Sequence, residues 1–106
     1  MLTVSQLTNY IKSLIEGEPT LRTVFLTGEI SNLGSYASGL YFSLKDSGEV
    51  ISAVMFKYQA MSLKFKPENG QKVVVSGSVS VYGPSGAYQL YATAMKKDGI
   101  GDLYLA

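Results

Sequence analysis

Residues 39–57 read Gly39-Leu40-Tyr41-Phe42-Ser43-Leu44-Lys45-Asp46-Ser47-Gly48-Glu49-Val50-Ile51-Ser52-Ala53-Val54-Met55-Phe56-Lys57, and their alternation decides the fold. Leu40, Phe42 and Leu44 alternate with Tyr41, Ser43 and Lys45, the period of a half-buried strand. Asp46-Ser47-Gly48-Glu49 carries turn chemistry, and Ile51, Ala53 and Met55 then resume the alternation. An even loop pairs Leu44 with Ile51, Phe42 with Ala53 and Leu40 with Met55, which sends one apolar row inward. A slip of one residue would turn Ser52 inward and Ile51 outward, so burial selects this register. Tyr41, Ser43, Lys45, Ser52, Val54 and Phe56 are left on the other face, where rings beside an ammonium group form a candidate binding platform.

Working towards the N-terminus, Arg22 to Ser31 reads as a strand with Val24, Leu26, Gly28 and Ile30 on one face. Gly28 inside it suggests a bulge or a strong bend. Asn32 to Ser38 reads as a polar loop carrying Tyr36. Thr3 to Glu16 reads as a helix. Thr3 and Gln6 have capping-box spacing, and Val4, Leu7, Tyr10/Ile11 and Leu14/Ile15 recur at helical intervals until Gly17 and Pro19 stop it. Its expected place is against a sheet or a barrel end.

Beyond the hairpin the period of two is lost, and Ala60, Met61 and Leu63 suit a short helix ended by Pro67 and the Glu68-Asn69-Gly70 turn. Lys72 to Tyr82 is a strand with Val73, Val75, Gly77, Val79 and Val81 inward. The turn Gly83-Pro84-Ser85-Gly86 then pairs Val81 with Tyr88 and Val79 with Leu90 inside, and Ser80 with Gln89 and Ser78 with Tyr91 outside. The last strand ends near Met95. Gly101 to Ala106 looks like a capped helix barely begun, which suggests a domain cut from a longer polypeptide. The expected fold class is all-β with minor helix. Its expected form is a five-stranded OB-fold barrel with an N-terminal helix and a short helix between strands three and four. An open meander packed on the first helix is the alternative.

Composition narrows the function. The 106 residues suffice for a single domain, and 46% hydrophobic with 16% charged residues describes a folded chain. No apolar run reaches the ~20 residues of a membrane span. The start Met1-Leu2-Thr3-Val4 is unlike a secretory signal, so the expected location is cytoplasmic. Absence of Cys and His excludes disulfides, the usual zinc sites and the commonest nucleophile–base pairs. No catalytic residue, metal site or cofactor is therefore expected in this stretch. A net charge of +1 announces no nucleic-acid binder by itself, so any such binding must rest on stacking and local charge.

Several separated motifs nevertheless point to one family. They are Gly28-Glu29-Ile30-Ser31-Asn32, Ser38 to Asp46, Ala53-Val54-Met55-Phe56, Gly77 to Tyr82 with Gly86-Ala87-Tyr88-Gln89-Leu90, the opening Val4-Ser5-Gln6-Leu7 and the closing Gly101 to Ala106. Together they resemble the N-terminal domain of the large subunit of bacterial exodeoxyribonuclease VII. The resemblance implies a single OB-fold nucleic-acid-binding domain over residues 1–106, ahead of a nuclease domain absent from this stretch. It implies a parent enzyme that hydrolyses single-stranded DNA and assembles with a small subunit. Ser52 departs from the pattern where members can carry a basic residue, which lowers the charge of the face.

On that basis single-stranded DNA is the expected partner, with bases stacking on Tyr41 and Phe56 and phosphates meeting Lys45 and Lys57. The strand one–two loop Asn32–Ser38 and the strand four–five loop Gly83–Gly86 would flank it. Tyr36, Tyr82 and Tyr91 are second-rank contacts, and Tyr88 is expected inward as a structural residue. Binding should be modest and fall with salt. The alternatives are a protein-interaction domain that docks on the nuclease domain or on other subunits, and an OB domain that binds carbohydrate.

Overall fold

The computed structural model describes residues 1–98; the expected helical start at Gly101–Ala106 lies outside them. Thr3 caps α1 (Val4–Glu16): its Oγ1 accepts from the Gln6 N–H at 3.1 Å, and Gln6 Oε1 accepts from the Thr3 N–H at 2.9 Å. Pro19 stops α1 but opens a one-turn helix, α2 (Pro19–Arg22), where its missing N–H costs nothing at the first helical position. The strands are β1 (Val24–Tyr36), β2 (Gly39–Lys45), β3 (Val50–Phe56), β4 (Lys72–Tyr82) and β5 (Ala87–Lys97), with α3 (Lys57–Ala60) between β3 and β4. They close into a barrel in the order β1-β2-β3-β5-β4. The barrel closes through a short parallel seam between β3 and β5, from Ser52/Gln89 to Val54/Tyr91, as in the partly open five-stranded OB architecture.

The β2–β3 register follows the alternation: Leu44 faces Ile51, Phe42 faces Ala53 and Leu40 faces Met55. The β4–β5 hairpin likewise sets Val79 against Leu90 and Val81 against Tyr88. Ile30, Met55, Val73, Val75 and Leu90 are fully buried at the barrel centre, each contributing on the order of 1.5–3 kcal/mol. Ala60, Leu63 and Phe65, from the connection between β3 and β4, pack against one end of this core.

Five expectations change. First, β1 continues through most of the presumed loop, and only Ala37 and Ser38 separate it from β2. Second, the β1–β4 ladder runs unbroken through Gly28, and the bulge lies further on, between Ser31 and Gly34. Third, Tyr88 occupies the inward row opposite the buried Val81, yet stays at the surface. Its ring is 58% exposed and lines an open apolar groove of about 450 Å3 with Ile15, Leu21, Val24 and Val79. Fourth, α1 rests on the sheet at β4 as expected, but through a face containing Thr8, Lys12 and Ile15 instead of its apolar row, and none of its residues is buried. Leu7, Tyr10 and Leu14 stay exposed on it. The short third helix also ends at Met61, well before Pro67.

Candidate nucleic-acid interface

The pairing places the outward residues in rows across the barrel. Gly34, Tyr41, Val54, Tyr91 and Ser78 form one row, crossing β1, β2, β3, β5 and β4 in turn. One pleat along, Ser31, Ser43, Ser52, Gln89 and Ser80 form a neutral polar belt on the same strands. On the other side Tyr36 and Phe56 flank Gly39 as its partners on β1 and β3. A Cβ at Gly39 would run into the Met55 carbonyl and come within 2.9 Å of Phe56 Cα, and its φ of 143° disfavours any L side chain.

A phase change in β1 brings Tyr36 to this face. The bulge takes three steps in β1 for two in β2, with Asn32 at φ 52°. Strict alternation from the inward Ile30 would turn Leu33 out and Tyr36 in; the extra residue reverses both. Leu33 then packs against the core, and Tyr36 is 65% exposed beside Tyr41. The distant turn holds the bulge. Asn69 Oδ1 accepts from the Leu33 N–H at 3.0 Å, and the Gly70 N–H donates to the Ile30 carbonyl at 2.8 Å.

The four rings form two pairs. Tyr36 meets Tyr41 edge-on with centroids 5.6 Å apart, and a Cβ on Gly34 would collide with the Tyr36 ring lying over it. Phe56 stacks on Tyr91 at 6.3 Å. Ser38 Oγ lies 3.1 Å from the Tyr41 hydroxyl, and Gln89 Nε2 donates to the Tyr91 hydroxyl at 2.8 Å. Between Tyr41 and Tyr91 in the row, Val54 is 4% exposed, so an outward residue has become a buried floor between rings. Tyr41 at 40% and Phe56 at 49% keep ring surface open.

Of the residues singled out from sequence, Tyr36, Tyr41, Phe56 and Tyr91 come together, with Lys57 at their margin. Lys57 opens α3, and its N–H donates to the Ser38 carbonyl at 3.0 Å. It borders a groove of about 380 Å3 shared with Tyr36 and Met61. Lys45 stands apart, four residues or roughly 13 Å along β2 from Tyr41. Its Nζ is 3.7 Å from Glu29 Oε2, the one ion pair among the described residues. Tyr82 is 48% exposed at the far end of β4, paired with Ala87 and away from the four rings. The polar belt is what the sequence reading passed over, although Ser43, Ser52, Ser80 and Gln89 all fall on the outer side of its own alternation. Asp46 only builds its turn: the Gly48 and Glu49 N–H groups donate to its carboxylate at 2.9 Å and hold its pKa below the usual range.

A closed five-stranded barrel with rings on its outer face defines a class. The chain belongs to the family described as "OB-fold nucleic acid binding domain", which matches residues 2–96. At higher resolution it is 55% identical over 106 residues to the exodeoxyribonuclease 7 large subunit of Clostridium botulinum, an alignment that covers 99% of this chain and 26% of that protein. To the same subunit of Bacillus cereus it is 53% identical over 106 residues, covering 99% of this chain and 24% of that protein. The chain thus spans about a quarter of the length of these relatives. Among solved structures, a chain of a Replication Protein A heterotrimer bound to ssDNA superimposes with a TM-score of 0.60 at 15% identity, over 79% of this chain and 65% of that one. Asparaginyl-tRNA synthetase from Pyrococcus horikoshii gives 0.59 at 18%, over 76% of this chain and 20% of that one. At such identities these two likenesses speak for the fold alone.

Proposed function

We propose that this chain binds single-stranded DNA across the outer face of β1, β2, β3 and β5, as the substrate-gripping domain of an exodeoxyribonuclease large subunit. The observation that carries the reading is the pair of ring pairs, Tyr36/Tyr41 and Phe56/Tyr91, half-open on one face around a buried Val54. Unpaired bases stack on such rings at about 1–3 kcal/mol each, whereas a duplex keeps its base faces hidden. Lys57 supplies a phosphate contact at the margin. Lys45, tied to Glu29, and Tyr82, at the hairpin end, contribute less. In the longer polypeptide, residues 1–106 form the single domain that hands the strand to a nuclease domain outside this stretch. That enzyme includes a small subunit and works in the cytoplasm. Among the described residues no helix is long and apolar enough to cross a membrane.

Fluorescence anisotropy with labelled oligo-dT, oligo-rU and duplex tests this. The expected result is modest binding to oligo-dT at low salt, weaker binding to duplex, and a shallow slope of log K on log salt, about −1 for one or two phosphate contacts. No binding at low salt, or equal affinity for duplex, contradicts the reading. The exposed stripe Leu7, Tyr10 and Leu14 on α1 favours a second role, docking of this domain on the rest of its enzyme. Co-sedimentation with the separately made remainder, abolished by Leu7→Glu and insensitive to salt, would establish that role. Absence of co-sedimentation would exclude it.

A further inference from the structure

The polar belt ends at a carboxylate. Ser80, its last member on β4, donates a hydrogen bond from Oγ to Glu16 Oε2 at 2.7 Å. Glu16 is the final residue of α1, and its position is fixed from several sides. The helix closes on itself through the Gly17 N–H to the Ser13 carbonyl at 2.9 Å. Arg22 Nε, from α2, donates to the Glu16 backbone carbonyl at 3.2 Å. That guanidinium contact reaches the backbone oxygen, and Glu16 takes part in no ion pair among the described residues. Arg22 and Lys12, one turn earlier on α1, are near neighbours that make no ion pair with it, so a carboxylate held by Ser80 stands across the β4 end of a face whose other belt members, Ser31, Ser43, Ser52 and Gln89, are neutral.

The geometry points to Glu16 as an anionic end-stop, a residue that sets how much single strand the face accepts. This rests on the reading of that face as a single-strand site. A strand advancing along the belt from β3 to β5 next meets β4, two strand spacings or about 10 Å from Ser52. There its phosphate would approach the Glu16 carboxylate, which the Ser80 hydroxyl holds on the belt. The usable track is confined to β1, β2, β3 and β5, which favours the low end of the roughly 4–16 nucleotides that OB domains cover. α1 thereby acts on the site through one side chain, although its apolar stripe faces away.

The test uses the 106-residue chain, its Glu16→Gln and Ser80→Ala variants, and oligo-dT of about four and about twelve nucleotides. Glutamine keeps an acceptor for the Ser80 hydroxyl and removes only the charge. Wild type should gain little affinity from the longer oligonucleotide. Glu16→Gln should bind the longer one about two- to fivefold more tightly and the shorter one unchanged, the scale of one exposed charge pair. Ser80→Ala, which frees the carboxylate to swing off the belt, should move the same way by less. Equal affinities of wild type and Glu16→Gln at both lengths, or an equal gain at both, would overturn the inference. If wild type bound neither oligonucleotide, the single-strand reading itself would fall and the inference with it. Weakened binding by Tyr41→Ala beside an inert Glu16→Gln would overturn the inference alone.

Discussion

The β2–β3 hairpin and the end of β1 both deliver tyrosines to one surface, by different routes. Tyr41 and Phe56 stand there because an unbroken pleat alternates, and the register Leu40/Met55, Phe42/Ala53, Leu44/Ile51 leaves them no other side. Tyr36 stands there because one extra residue in β1 reverses the phase, and a side chain 36 residues away in sequence from Leu33 keeps it reversed. The first arrangement is local and supported by every pair in the ladder. The second hangs on a bulge and an amide.

This contrast can be broken at its strong side first. Gly39→Ala places a methyl against the Met55 carbonyl and the Phe56 backbone at φ 143°, where β2 and β3 cannot separate without losing their pairing. It should cost about 3 kcal/mol or more in urea unfolding. A loss under about 1 kcal/mol would mean that the hairpin is less constrained than its register implies. Next in size, Tyr41→Ala should weaken oligo-dT binding by about tenfold or more with nearly unchanged stability, since its ring is 40% exposed. Tyr36→Ala should cost less, because its ring reaches the site edge-on. The reverse order would place the strand over the turn instead of the hairpin.

Asn69→Ala probes the weak side. Losing the acceptor for the Leu33 N–H should cost about 1 kcal/mol of stability. It should also lower binding towards the Tyr36→Ala level, because the bulge that presents Tyr36 loosens. Loss of stability with binding intact would separate the latch from the site. The smallest effect is in the Asp46 turn of the same hairpin. Its carboxylate pKa is lowered by the Gly48 and Glu49 N–H groups, so it supports the fold above the unfolded carboxylate pKa of about 3.9 and loses that support as pH falls through the lower folded value. Asp46→Asn should lower stability slightly at neutral pH, where the carboxylate's support is fully present, and flatten the acid-side slope below about pH 4, so that the two proteins converge in acid. An unaltered acid slope would show that other carboxylates dominate it.

How much was legible follows the same division. Alternation in Leu40–Met55 and Val73–Val81, with turn residues between, fixes two hairpins in register, and five strands of that kind close most economically as a barrel. Asn32-Leu33-Gly34-Ser35 reads locally as loop, since small polar residues and glycine rarely hold a strand unaided. Pairing with β2 and the bonds from Asn69 and Gly70 override that preference, and such long-range partners leave no mark on a local period. Tyr88 misled for another reason. Periodicity assigns a side to a residue but does not show how much packs over it, and Val81 is buried where its partner Tyr88 is not. Lys45 is similar: its face was legible, but its ion pair with Glu29 depends on β1 lying alongside, which the hairpin alone cannot reveal.

The most direct test is an amide NMR titration of this chain with a short oligo-dT. The account predicts that the largest shifts fall on residues around Tyr36, Tyr41, Phe56 and Tyr91 and along Ser43, Ser52 and Gln89. Amides near Lys45 should move less, and those near Tyr88 and of α1 before Glu16 should stay in place. Shifts concentrated around Lys45 and Lys72 or in the Tyr88 groove, with the four rings silent, would contradict it.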